Sequence, residues 1–340
     1  MQKLKFYLIL IFTSLYFIII LSGCAGGPVS AQEYYSIGMA YFDLGKYDEA
    51  EKWLNRARLS DRTMVASTYN LGRLAFERQR FEEAAKHFES ILKKDGDNVL
   101  ALKAAAYSRI KTNDIETAEK HYKKLLSLVP ESADDGYNHA LILYTLERYS
   151  AAEEVLQKYP IALQENKDTM LLYARCQAAL NKVEAIDTFA QWLENNTDAK
   201  VRYEYAQTLE RHEFYARALE EYRLSHTNTA ATAVNPAKYD VRFAIARVLL
   251  TAQGSDGEGV TELQGAVTDG FSDITAAEAL LNIKGISAGN KSSIQNIINT
   301  LRANEAEKER IKEAEKERGI EAGKPPSEEG KREERLETNP

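Results

Sequence analysis

Small apolar residues recur along this chain at a fixed step. Alanine stands at Ala50, Ala84, Ala118 and Ala152, a spacing of 34 residues, and a second ladder of Gly38, Gly72, Ala106, Ala140 and Ala174 keeps the same step. Bulkier apolar residues surround each rung at helical intervals. Tyr34, Ile37, Gly38 and Tyr41 fall at i, i+3, i+4 and i+7, which is one face of a helix. Gly45 breaks that helix, Tyr47 opens another, and Ala50, Leu54 and Ala57 form its inward stripe. A period of this length predicts stacked helical hairpins. Two antiparallel helices joined by a short turn approach closely only where the facing side chains are small. Gly38, Ala50, Gly72, Ala84, Ala106, Ala118, Ala140 and Ala152 are therefore assigned to helix crossings, with larger neighbours filling the flanks.

Four units, 31–64, 65–98, 99–132 and 133–166, align without gaps. The second repeats the stripe as Leu71, Ala75, Phe81, Phe88 and Ile91, and the third as Tyr122 and Leu125 before Pro130, which cannot continue a helix. The fourth supplies Leu143, Tyr149, Leu156 and Tyr159. Regularity then weakens. Ile186 stands where alanine is expected, Ala185 sits one place early, and Ala218 lies 66 residues beyond Ala152, two short of a double period. The deletion is placed in the loop around Asn195 and Asn196. Residues 167–236 read as two degenerate units, and residues 237–302 as a further one plus helices that cap the open end. Gly254 to Gly259 read as an inter-helix turn. Residues 303–340 form a charged tail: its first half extends a solvated helix, and the rest has too little apolar content to order.

A small residue at position 8 of each unit, an aromatic near 11, alanine at 20, an aromatic or leucine at 24 and Pro130 at 32 resemble the tetratricopeptide repeat. The resemblance implies an all-α solenoid, a right-handed superhelix of helix-turn-helix repeats with a helical C-terminal cap. It also implies that positions 2, 5, 9 and 12 of each first helix face a concave groove. Those positions supply Tyr35, Met39, Phe42, Tyr69, Arg73, Phe76, Tyr107, Tyr137, Leu141, Tyr144 and Tyr203 as candidates for binding a peptide. Aromatics at positions 5 and 12 are also general to the family, so part of this stripe serves packing. The family's chaperone-binding subclass uses a Lys/Asn/Arg clamp for a terminal carboxylate, and only Asn70 fits it here.

Composition narrows the function further. The formal net charge is −7 with charged residues at 28%, which argues against nucleic acid as a partner. No HExxH, G-x-S-x-G, Walker or C-x-x-C pattern occurs, so no catalytic residue, metal or cofactor is expected, and the chain reads as a non-enzyme. His87 and His121 are 34 residues apart, a pair without a third ligand, and His139 takes a partly buried position. Cys176 lies among leucines and alanines as a small hydrophobe.

The N-terminus carries an address instead of a fold. Lys3 and Lys5 precede an apolar run from Phe6 to Leu21, ending in Leu21-Ser22-Gly23-Cys24. That ending resembles the bacterial lipobox, which implies a signal peptide over 1–23, acylation of Cys24 (palmitate among the chains) and a lipidated linker over 24–30. Multiple acyl chains would hold the protein stably on a membrane. The expected function is a lipid-anchored scaffold for protein–protein interaction at the bacterial cell envelope, with other envelope proteins or peptides as partners. Its expected site is the outer membrane facing the periplasm. The alternative is a surface-exposed lipoprotein acting as an adhesin or host-factor ligand. Cys24→Ala is predicted to abolish acylation. The variant should leave the detergent-soluble membrane fraction or retain its signal peptide, and intact-mass spectrometry should find no acyl mass.

Overall fold

The structure is a computed structural model that describes residues 29–230, 233, 235–252 and 256–322, with side chains to residue 316. The expected signal peptide over 1–23, Cys24, most of the expected linker and residues 323–340 lie outside the described residues. Every regular element among the described residues is helical. Two compact units are present, 1–176 and 177–340.

The first unit is a run of helical hairpins: α1 (Ala31–Asp43) with α2 (Tyr47–Ser60), α3 (Val65–Glu77) with α4 (Phe81–Leu92), α5 (Val99–Lys111) with α6 (Ile115–Leu128), and α7 (Ala133–Thr145) with α8 (Tyr149–Leu156). A short α9 (Pro160–Glu165) follows, then α10 (Lys167–Ala179), in which the unit ends. First helices begin at 31, 65, 99, 133 and 167, so the period survives into the backbone. Polar caps mark most of these starts. Ser30 forms a capping box with Glu33, and Asn98, Ser132 and Asn166 each accept a backbone N–H of the first turn.

Each hairpin turns through one left-handed residue. Gly45, Gln79, Asn113, Glu147 and Asn181 all have φ between 54° and 69°, and all are spaced by 34. The N–H of the next residue closes back on the first helix, as Lys46 to the Tyr41 carbonyl at 2.9 Å and Arg148 to the Leu143 carbonyl at 2.8 Å. Only one of these five is glycine, so four residues accept a conformation costing about 1–2 kcal/mol for an L side chain.

All eight small residues assigned to helix crossings are buried. Gly38 lies under Leu54 and Gly72 under Phe88, and a Cβ on Gly72 would stand 2.7 Å from the Phe88 ring. The fourth hairpin departs from expectation. Its second helix stops at Leu156, and Tyr159 leaves the inward stripe to lay its ring over Gly136, donating to the Pro130 carbonyl at 2.9 Å. Pro160 is the cause: it has no N–H to continue α8 and biases Tyr159 away from helical backbone, where φ is −119°.

The second unit holds the end of α10, α11 (Ala185–Asn195), α12 (Ala199–Arg211), α13 (Tyr215–Asn228), α14 (Lys238–Thr251), α15 (Asp256–Thr268), α16 (Ile274–Ala279), a single 3₁₀ turn at Leu280–Asn282, and α17 (Ala288–Ala322). The two-residue shortening is not one loop event. Asn181 still holds the in-phase turn, whereas Ala185, Phe189 and Trp192 are buried one place early. One residue is therefore missing between Asn181 and Ala185, and the other between Trp192 and Ala199. Gly257 and Gly259 are also not a turn: they lie in the first turn of α15, and Gly259 is buried beneath Leu250, the part that Gly38 plays beneath Leu54.

α16, the 3₁₀ turn and the start of α17 close a cluster with α14 and α15. Phe243 stacks on Phe271 at 4.2 Å, and Leu263, Leu280, Ile294, Ile298 and Leu301 are buried around them. The charged segment continues α17 to Ala322. Arg310 with Glu307 and Lys312 with Glu309 pair along its exposed surface. Among the described residues no helix is long and apolar enough to cross a membrane.

Gly72→Ala should destabilise the protein by about 1–3 kcal/mol, because Phe88 must shift to admit the methyl group. Gly257→Ala, in a helix with open space at that position, should be neutral or stabilising by up to about 1 kcal/mol. Urea unfolding of the two variants measures the difference.

Candidate functional site

The groove candidates of the first unit divide by their place in the repeat. Those at positions 5 and 12 are half-buried and hold the hairpins together. Tyr35, Met39 and Phe42 pack on the cluster of Ala50, Leu54, Leu71 and Leu74. Tyr69 leans on Phe88 at 5.3 Å, and Tyr137 and Tyr144 cover the cluster around Leu156 and Leu172. Each aromatic at position 12 meets the residue that opens the next helix: Phe42 on Tyr47 at 5.8 Å, Phe76 on Phe81 at 5.0 Å, and Tyr144 on Tyr149 at 5.2 Å.

Position 9 behaves differently. Arg73, Tyr107 and Leu141 are exposed there, with Tyr107 at 48% and Leu141 at 40%, while Met39 is half-buried. Leu100 adds a further exposed apolar side chain one turn-pair before Tyr107 on α5. This row is braced from behind. Phe76 stacks on Tyr107 at 5.3 Å, and the Arg73 guanidinium lies 5.0 Å over the Phe42 ring. Asn70 donates to the Tyr35 hydroxyl and accepts from Arg73, both at 3.0 Å, so the one residue that matched a carboxylate clamp is spent internally. Lys103 meets the buried Asp135 at 2.7 Å beside the row. The arrangement offers an apolar ridge of Leu100, Tyr107 and Leu141, with Arg73 and the paired Lys103 beside it.

The histidines are separately engaged. His87 lies 3.8 Å from Glu83, His121 3.8 Å from Glu89, and buried His139 3.5 Å from Glu119. Desolvation depresses all three imidazoles below their ordinary pKa. Cys176 is buried, and its surroundings push the thiol up to about 12, away from reactivity. Among the described residues no group of three or more His, Cys, Asp or Glu is placed to hold a metal.

The second unit contains a site that the period gave no reason to expect. The remaining candidate, Tyr203, packs on Tyr222 at 5.4 Å, and the same face of α12 carries Glu210. Arg247 donates to both Glu210 oxygens, at 2.6 and 2.8 Å, and the buried Tyr222 hydroxyl donates to one of them at 2.7 Å. The paired carboxylate raises the Arg247 pKa, and burial pushes Tyr222 up. A cavity of about 610 Å³ opens beside this network. The sequence signal was a pair of arginines, Arg242 and Arg247, inside the otherwise apolar run of Val241 to Leu250.

Comparison with known proteins follows the repeat. Residues 35–99 and 69–133 match the tetratricopeptide repeat model, and residues 111–191 match that of anaphase-promoting complex, cyclosome, subunit 3. An uncharacterized lipoprotein of Treponema pallidum is 26% identical over 149 residues, covering 43% of this chain and 76% of its own length. The anaphase-promoting complex subunit CDC16 of Saccharomyces cerevisiae is 27% identical over 183 residues, covering 51% of this chain but 20% of its own length. Among solved structures, a tetratricopeptide repeat protein of Parabacteroides merdae is 20% identical with a TM-score of 0.49, covering 74% of this chain and 97% of its own. YrrB, described as a tetratricopeptide repeat protein with an unusual peptide-binding site, is 20% identical with a TM-score of 0.46, covering 51% and 90%.

The depressed imidazoles set a pH dependence. The unfolded chain binds protons near the ordinary histidine pKa of about 6.5, whereas the folded chain resists protonation until lower pH. Stability is therefore full above that value and declines as the pH falls through it. Thermal unfolding at pH 7.5 and 5.5 should show a lower midpoint in acid, and His139→Leu should reduce that decline.

Proposed function

From a chain that carries tetratricopeptide repeats over residues 35–133, we propose a lipid-anchored scaffold that holds protein or peptide partners at a bacterial cell envelope, in the assembly of an envelope complex. The observation that carries the binding half is the position-9 row. Two neighbouring first helices, α5 and α7, leave Tyr107 and Leu141 exposed on an otherwise well-buried repeat. Large apolar side chains on a rigid backing are favourable anchors for a partner, since little side-chain entropy is lost when they are covered. The half-buried aromatics behind them fix the row in place.

The anchoring half rests on Leu21-Ser22-Gly23-Cys24, and the resemblance to a Treponema lipoprotein is in keeping with it. The repeats begin at Ala31, seven residues after Cys24, so an acylated Cys24 would keep the first hairpin beside the bilayer. The outer membrane facing the periplasm is the proposed location.

Crosslinking in cells followed by mass spectrometry tests the binding half, comparing the native chain with Tyr107→Ala/Leu141→Ala. Both side chains are exposed, so the double variant should fold and should lose its principal crosslinked partners. An unchanged partner set in a folded variant would overturn the assignment of this face.

A further inference from the structure

The cavity of the second unit has two unlike walls. Phe243, Leu280, Ile283 and Tyr215 form the apolar one, with Ala276 and Ala279 leaving room between them. Glu210, Arg211 and Arg247 form the polar one. Its volume of about 610 Å³ falls within the range of ligand clefts, and it opens to solvent.

The charges of the polar wall do not cancel in the cleft. Both oxygens of Glu210 are occupied, by two Arg247 donors and the Tyr222 hydroxyl, so this carboxylate has little left to offer an incoming cation. Arg247 is held rigid by that pairing, with its guanidinium 5.9 Å from the Phe243 ring centroid. Arg211 is exposed and donates to the Ala178 carbonyl at 2.6 Å, and among the described residues no carboxylate pairs with it. Two guanidinium groups against one saturated carboxylate make the wall net cationic, in a chain whose formal charge is −7. An anionic group is therefore favoured on one side of the cleft, and an apolar one on the other.

We propose that this cleft binds a protein segment in which a large apolar side chain lies beside an aspartate or glutamate. The apolar group enters between Phe243 and Ile283 over Ala279, and the carboxylate meets the free edges of Arg211 and Arg247. This site is separate from the position-9 row of the first unit, and goes beyond the function proposed for it. The two would bind segments of different chemistry, the row by apolar contact and the cleft by apolar contact with a fixed negative charge.

A phage-displayed random dodecapeptide library, panned on residues 25–340 as a soluble chain, provides the probe. Selected peptides are synthesised and measured by fluorescence anisotropy against three folded variants. Ala279→Trp fills the cleft from an exposed position, Arg211→Glu reverses its exposed charge, and Tyr107→Ala/Leu141→Ala reports on the row of the first unit. The expected result is a set of peptides pairing an apolar residue with Asp or Glu. Their affinity should fall about tenfold or more in Ala279→Trp and roughly fivefold in Arg211→Glu, and should be unchanged in the double variant. Peptides that bind Ala279→Trp as well as the native chain, or a selected set without acidic enrichment, would overturn the proposal. Peptides lost only in the double variant would also overturn it, while leaving the first-unit reading intact.

Discussion

Helices that cross at close range need a place where one of the two facing side chains is nearly absent, and in this chain that need recurs at every hairpin. Leu54 fills the space over Gly38, and Phe88 the space over Gly72. Ala50, Ala84, Ala118, Ala152, Ala185 and Ala218 are all fully buried on the second helices. The residue four places later is buried too, running Leu54, Phe88, Tyr122, Leu156, Phe189 and Tyr222. A small rung and a bulky neighbour thus form one packing unit. Their alternation fixes the separation of the helices and, through it, which residues of the first helix remain outside.

That dependence explains what could be read in advance. The step of 34, the small rungs and the starts of the first helices follow from local rules: helical periodicity, steric need and breakers. The turns were less legible. Gly45 and, more weakly, Asn113 and Asn181 flag their turns, while Gln79 and Glu147 take the same left-handed backbone without a compositional flag. Tertiary packing imposes the conformation, and the residue tolerates it. The deletion was placed in a single loop for a related reason. Counting alanines locates a deletion only between two rungs, whereas the burial of Ala185, Phe189 and Trp192 puts one of the two missing residues before α11.

The candidate site was half legible. Sequence spacing identifies the row facing outward but cannot separate aromatics that brace it from those that present a surface. Phe42, Phe76 and Tyr144 are drawn into edge contacts with Tyr47, Phe81 and Tyr149, which lie just across the turn. Position 9 has no such partner across the turn, and Tyr107 and Leu141 keep much of their surface exposed. The Glu210–Arg247–Tyr222 network lay beyond reach, because residues 37 positions apart meet only after two irregular hairpins have formed. Such a half-buried ionic network costs desolvation that a repeat built wholly from alanine and leucine avoids. It marks the place where the second unit ceases to be interchangeable with its neighbours.

α17 has a mechanical consequence. Leu301 is the last buried side chain among the described ones, yet the helix runs on to Ala322, some 30 Å of axis at about 1.5 Å per residue. Over the span with described side chains, Ile311 is half-exposed in a field of alternating Glu, Lys and Arg, so no apolar stripe draws the segment onto a surface. Its rigidity comes from backbone hydrogen bonds and short-range ion pairs, and the ion pairs are weakened by dissolved salt. The protein therefore carries a strut whose stiffness follows the ionic strength of the surrounding fluid.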